Sequence, residues 1–445
     1  MSFNTLVYKA FTRATIHKHP SYEHLPPEMK RDIQVVSAVF PFRVNNYVLD
    51  NLINWDDVPH DPIYQLTFPQ RDMLSVLDYG DIARLIDKGT PADVRQAANH
   101  IQRAHNPHPA GQLEYNIPKL DGQPVAGLQH KYAETVLFFP SQGQTCHAYC
   151  SYCFRWAQFV GLQDLKFAAR ESETLVRYLK QHHEVSDVLF TGGDPAIMKT
   201  KMLRAYIEPL LVPELDHIQT IRIGTKALAY WPYRFVNDAD ADDLLDLFEQ
   251  VVASGRHLAI MAHVSHPREM KTQIAEAAVR RLRSVGCEIR MQAPLMKHIN
   301  NDAKTWAEIW RYGVKQGMIP YYMFVSRDTG PRNYFEVPLT EALHVFRHAY
   351  QQVSGLGRTV RGPVMSTTPG KVMVNGIAEV NGQKVFALQF LQGRNRDWVG
   401  RPFFAKFNAT ASWLSDLKPA FRPQFFFNQP NTFDIIPIKA ASGEK

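Results

Sequence analysis

Long apolar runs are absent from this sequence. Nowhere in its 445 residues do about 18 uncharged apolar residues follow one another, so no segment reads as a bilayer-spanning helix. The opening stretch MSFNTLVYKAFTRATIHKHP has no apolar run of signal-peptide length either, and the expectation is a cytoplasmic protein without a membrane partner. Blocks of five or six lysines and arginines are missing too. The net charge of +7 is therefore dispersed, and nucleic acid is not an expected partner. Internal repeats and low-complexity segments do not occur. Cysteine is scarce: four residues are too few for a disulfide framework in a chain of this length, which points to thiols kept reduced for chemistry. What remains, 45% hydrophobic and 21% charged, is ordinary globular usage with enough apolar residues for a sizeable core.

Three of the four cysteines sit in TCHAYCSYCFRW, residues 145 to 156, as Cys146, Cys150 and Cys153. The spacing CxxxCxxC lets one short loop fold three sulfurs around a single centre, and three thiolates suit a cubane iron-sulfur cluster whose fourth iron stays open. A structural zinc ion is the competing reading. It needs a closed tetrahedral set, and the nearest fourth ligand, His147, is adjacent in sequence to Cys146. Cys287 lies at a strand start and reads as a small buried hydrophobe.

Residues 1–127 are rich in helix formers broken by prolines and are expected to form a mostly helical segment. From 128 to 371 short apolar runs (TVLFFPS, SDVLFTGG, IQTIRIG, HLAIMAHV, CEIRMQAP, IPYYMFVS, RTVRGPVM) alternate with helical patterns, which means a parallel sheet with crossover helices. Runs apolar nearly throughout suggest strands covered on both faces. An α/β barrel, open or closed, fits best, with functional residues just past the carboxyl ends of strands. Residues 372–445 read as a β-hairpin around Asn381-Gly382 followed by an aromatic-rich tail.

CxxxCxxC with Tyr152 before its last cysteine resembles the signature of radical S-adenosylmethionine (SAM) enzymes. VLFTGGDP, one βα unit later, looks like their second motif. The fold implied is a partial (β/α)6-type parallel barrel. The resemblance implies a [4Fe-4S] cluster on the three cysteines and SAM on the open iron, with Tyr152, Gly192, Gly193 and Asp194 on the cofactor side. Two glycines after a strand end also suit a backbone that must come close to a ligand.

The resemblance narrows to the lysine 2,3-aminomutase family. It is carried between about Asp61 and Asn375 by HDPIYQLTFP, GLQHKY, CHAYCSYCFRWAQFVG, SDVLFTGGDPAIM, IRIGTKA, HVSHPREM, QAPLMKHINND, IPYYMFVSRD and TTPGK. It implies an isomerase that is dependent on pyridoxal phosphate (PLP) and moves an amino group between C2 and C3 of a small amino acid. An external reductant such as flavodoxin or ferredoxin would supply electrons. Lys371 matches the lysine that holds PLP as an internal aldimine; Lys131 matches a contact of the PLP phosphate, and Tyr132 lies near the ring. Arg155 matches the residue that holds the substrate carboxylate, a role suited to a bidentate guanidinium.

The departures from the family are specific. Thr135 replaces a second arginine of the phosphate site, and the glycine run before Lys371 is cut to Pro369-Gly370. Lysine-specific members hold the distal ammonium with two aspartates, whereas Arg327 and Val364 stand at those positions, with Asp328 next to the first. An arginine about 4 Å from a lysine ammonium repels it by roughly 4 kcal/mol at an effective dielectric near 20. The expected substrate is therefore an acidic or neutral amino acid, with Arg327 facing its side chain. No cysteine follows Cys287, so the family's C-terminal zinc segment is missing and a homo-oligomer is left open. Two other readings stand beside this one: a radical enzyme that modifies a lysine of a translation factor, and a non-catalytic iron-sulfur protein.

Overall fold

The computed structural model describes residues 6–161, 166–170 and 172–428. Its centre is an eleven-stranded sheet in which the strands lie in sequence order. We number them β1 (Leu128–Tyr132), β2 (Thr135–Phe138), β3 (Asp187–Phe190), β4 (Thr220–Thr225), β5 (His257–His263), β6 (Glu288–Leu295), β7 (Ile319–Val325), β8 (Arg361–Ser366), β9 (Gly370–Val380), β10 (Gln383–Gly393) and β11 (Pro402–Lys406). Strands β2 to β8 are parallel. β1 runs antiparallel at one edge, and β9 to β11 form an antiparallel meander at the other.

Six helices make the crossovers: α1 (Glu173–Gln181), α2 (Thr200–Ile207), α3 (Ala241–Ala253), α4 (Gln273–Ser284), α5 (Ala303–Lys315) and α6 (Leu339–Gln351). Local chemistry starts them where the sequence changes period. Thr272 accepts from Ala275 N ahead of α4, and Asp302 accepts from Thr305 N at 2.8 Å ahead of α5. The helices pack on the apolar side of the sheet, where Ile221, Ile223, Ile289, Met291 and Ala293 are buried with Leu244, Phe248, Leu282 and Trp306. No ladder joins β1 to β11 among the described residues, so the architecture is an α/β fold on a large mixed sheet and not a barrel closed by strand pairing.

One detail of the strands differs from the expectation of two apolar faces. β4 and β6 alternate strictly between buried and half-buried positions. The half-buried set, including Arg222, Gly224, Gln292 and Pro294, lines a cavity instead of a second apolar layer. The Asn381-Gly382 hairpin forms as expected, with Val380 opposite Gln383 and both turn residues at positive φ.

The N-terminal residues carry helices at Pro27–Val36, Val76–Lys88 and Pro91–Ala104, together with a small antiparallel strand pair, Ala10–Thr12 and Arg43–Asn45. Their apolar residues share one core with Ala148, Trp156, Tyr230 and Trp231, so they pack against the cysteine loop and the loop after β4. Among the described residues no helix is long and apolar enough to cross a membrane.

Candidate active site

The carboxyl ends of the parallel strands and the start of β9 surround one cavity of about 330 Å³. Every residue singled out for a site in the sequence lines it: Cys146, Cys150, Cys153, Tyr152, Gly192, Gly193, Asp194, Lys131, Tyr132, Arg155, Arg327 and Lys371.

The cysteine loop follows β2. Residues of the N-terminal segment hold it: Arg43 donates to Thr145 Oγ1 at 2.9 Å, Tyr149 N donates to Arg43 O, Ser151 N to Leu66 O, and Asn45 Nδ2 to His147 O. Burial pushes all three thiols up, Cys153 to about 12, and Cys150 raises both Cys146 and Cys153 further. Free thiolates are thus disfavoured there, and a metal centre that takes the protons' place relieves the cost. His147 is absent from the cavity wall: it is buried against Trp231 and Tyr8, with its rings 6.4 and 5.6 Å away. Three sulfurs without a fourth protein ligand among the described residues fit a cluster with one open iron better than a closed zinc site. Cys287 is buried in the sheet-helix core and is absent from the cavity wall.

The glycine loop after β3 has a second task beside any ligand contact. Gly192 has φ +135°, and a Cβ there would meet the Gln144 side chain at 2.2 Å; one on Gly193 would meet Thr145 N at 2.5 Å. The glycines let this loop lie directly on the start of the cysteine loop. Asp194 N donates to Gly143 O and Thr145 O. The Asp194 carboxylate accepts from Thr225 Oγ1 at 2.6 Å, Lys226 N at 2.8 Å and Ala196 N at 3.0 Å, so its oxygens already tie the loops after β3 and β4 together.

Beside it stands a polar group that the sequence did not single out. Lys226 Nζ lies 2.7 Å from Glu269 Oε1, with side-chain exposures of 9% and 0%. Glu269 also accepts from Ser265 N and His266 N. Tyr152 Oη is within 3.0 Å of His263 Nδ1 and 3.3 Å of Ser265 Oγ, and Tyr230 Oη approaches Cys150 Sγ at 3.5 Å. A buried ion pair therefore abuts the Cys150 side of the cluster loop.

Lys371, the second residue of β9, lies on the same cavity wall. Its Nζ donates to Gln392 Oε1 at 2.6 Å and lies 5.4 and 5.2 Å from the rings of Tyr132 and Tyr322. Burial, aided by Arg222 and Arg361, lowers its pKa to about 7, so the amine is readily available as a nucleophile near neutrality. Lys131 donates to Thr367 O, and its pKa falls well below the usual lysine range through burial and the nearby Arg394, Arg327 and Lys371. Tyr132 Oη is buried without a partner. Thr135 does not face an open anion site: its hydroxyl donates to Asp187, which Arg222 holds with two nitrogens.

On the same wall, Arg155 and Arg327 flank Phe154. Arg155 also lies 4.3 Å over Phe139, and burial with the nearby Arg327 lowers its pKa to about 9. Arg327 donates to Ser366 O at 3.1 Å. Asp328 and Val364 are absent from the cavity wall.

No protein-family model matches the chain. A protein of Aquifex aeolicus named "Putative L-lysine 2,3-aminomutase" is 30% identical over 395 residues, 88% of this chain and 92% of that one. The chain belongs to the lysine 2,3-aminomutase family. A second Aquifex aeolicus protein of the same name is 27% identical over 84% of this chain and 89% of its own length. Glutamate 2,3-aminomutase of Clostridioides difficile is 26% identical over 52% of each chain. Among solved structures, Streptococcus suis SuiB covers 64% of this chain at 12% identity and a TM-score of 0.35, a likeness too distant to add to the assignment.

The aminomutase family is one of isomerases in the radical SAM class. Several residues of this site are not singled out by the sequence: Lys226, His263 and Glu269 near the cysteines, Arg222 and Asp187 near Lys371, Gln392 on β10 and Arg394 just after it. IRIGTKA and HVSHPREM hold the first three and had been noticed only as family segments. Nothing in the hairpin sequence pointed to the last two.

Proposed function

We propose that this protein is a radical SAM, PLP-dependent 2,3-aminomutase acting on a small acidic amino acid. The observation that carries the reading is one cavity whose wall holds three thiols, a lysine of lowered basicity and two arginines, Arg155 buried and Arg327 half-buried. When bound, the cluster and SAM would supply a 5'-deoxyadenosyl radical, and PLP would supply the aldehyde carbon that holds the amino nitrogen while its bond shifts from C2 to C3.

In this reading Cys146, Cys150 and Cys153 hold the cluster, and the backbone at Gly192 and Gly193 leaves room for SAM. Lys371 holds PLP, Lys131 faces its phosphate, and the partnerless Tyr132 Oη gives the cofactor a donor. Arg155 takes the α-carboxylate and Arg327 the side-chain carboxylate. The enclosing walls exclude water from reactive carbon centres.

The charge of the wall favours an acidic substrate over free lysine. Arg155 and Arg327 line it with no salt-bridge partner among the described residues, Arg222 and Lys226 being paired with Asp187 and Glu269, while Asp194, the one carboxylate on the wall among the described residues, is engaged by protein donors. The buried Arg155 also favours a substrate with a free carboxylate over a lysine side chain of a protein. Anaerobic reconstitution tests the reading: absorption of both a cluster and a PLP imine, together with 5'-deoxyadenosine release from SAM after reduction, is expected. Protein that takes up the cluster but neither cleaves SAM nor binds PLP would contradict it.

A further inference from the structure

We propose that the C-terminal strand β10 is part of the active site, with Gln392 as a positioning residue that orients the Lys371 amine and Arg394 as the brace of the segment before it. This assignment rests on Lys371 as the PLP-bearing lysine.

The geometry comes from an irregularity in the β9–β10 ladder. Lys371 pairs with Gln392 and Val372 with Phe390, so Leu391 is an extra residue on β10. A bulge of this kind re-aims neighbouring side chains. Here it stands the Gln392 amide against the amine, with Oε1 accepting from Nζ at 2.6 Å. Gly370 keeps the two strands this close, since a Cβ there would meet Gln392 O at 2.2 Å. Gln392 also lines the cavity.

Two residues on, Arg394 spends its guanidinium on carbonyl groups: Nε donates to Thr368 O at 2.8 Å, Nη1 to Tyr115 O at 2.9 Å, and Nη2 to Asn116 Oδ1. Arg394 N donates to Pro369 O at 3.0 Å. With Lys131 donating to Thr367 O, residues 367–370 are held from both sides just where they deliver Lys371 to the cavity. The shortened Pro369-Gly370 turn is thus braced by the residue that follows β10.

The charged and titratable groups around Lys371 are Arg222 on β4, paired with Asp187 on β3, Arg361 on β8, Arg327 after β7, Lys131 and Tyr132 on β1, and Tyr322 on β7. Gln392 is the acceptor that the amine itself bonds, and it is neutral. Covalent attachment of PLP requires the unprotonated amine, which adds to the aldehyde carbon with loss of water. The side chain at 392 should therefore set the pH at which attachment half-forms.

Full-length, cluster-loaded protein freed of PLP is titrated with PLP across pH, and the product is trapped with borohydride and mapped to Lys371. In Gln392→Glu, a carboxylate holds the proton on the amine and moves the midpoint up by about 1 to 3 units. In Gln392→Leu, the ammonium loses its acceptor and the midpoint moves down. Cluster content in each preparation reports that the fold is intact, and Gln392→Glu, nearly isosteric, is the arm least able to disturb packing. A merely structural residue would lower the yield in both variants without separating their midpoints. Labelled wild type with variants that shift together or not at all overturns the role of Gln392 alone; wild type unlabelled at Lys371 overturns the PLP assignment and the role of Gln392 with it.

Discussion

Arg155 and Arg327 share one aromatic ring: their guanidinium carbons lie 5.0 and 4.6 Å from the centroid of Phe154. Arg155 is buried and Arg327 half-buried, and Arg155 has no acidic partner among the described residues. Two like charges held together away from water are costly until anions neutralise them. A molecule with two carboxylates a few bonds apart meets both at once.

Arg327→Ala should therefore remove turnover of an acidic amino acid and spare uncoupled SAM cleavage. An unpaired buried carboxylate costs about 3 to 5 kcal/mol, which is roughly a hundredfold to a few thousandfold in kcat/KM. Steady-state kinetics on glutamate and aspartate, with 5'-deoxyadenosine measured in parallel, check the split. Equal loss of both activities would assign Arg327 to the scaffold.

Cys150→Ala should abolish 5'-deoxyadenosine formation, because two remaining thiolates cannot hold a cubane with a single open iron. Iron and sulfide content, read with the near-ultraviolet and visible spectrum, should fall with it. Full iron content and undiminished SAM cleavage would remove the cluster from this loop.

Lys226→Met should destabilise the fold by about 3 to 5 kcal/mol, since it leaves the fully buried Glu269 carboxylate with only Ser265 N and His266 N. The double variant with Glu269→Gln should recover much of that loss, because the charge that needs pairing is gone. Denaturant midpoints of the three proteins decide; a double variant no more stable than Lys226→Met would show that the pair is not coupled.

The strand-helix alternation was legible from Thr135 to Ser366 because a parallel sheet imposes its period on every βα unit, and the cysteine spacing was legible because three ligands had to share one loop. Arg327 was the uncertain point, since neighbours on a strand face opposite sides. The fold puts Arg327 on the cavity wall and leaves Asp328 off it, with Oδ1 buried and unbonded. The polar face of β4 and β6 was not foreseen, as Arg222 and Gln292 look like interruptions until the cavity gives them something to face. Gln392 reaches Lys371 only through antiparallel register and a one-residue bulge, and no local pattern encodes such a meeting. The bracing of the cysteine loop by Arg43, Asn45 and Leu66 is long-range in the same way.

The most direct measurement follows the nitrogen. Reduced, cluster-loaded protein with SAM and PLP is incubated separately with L-glutamate, L-aspartate and L-lysine, each labelled with 15N at the α-amino group and 13C at C2 and C3, and coupling is read by NMR. In an acidic amino acid the 15N coupling should move from C2 to C3, while lysine stays unchanged. Transfer in lysine with none in either acidic substrate would contradict that expectation.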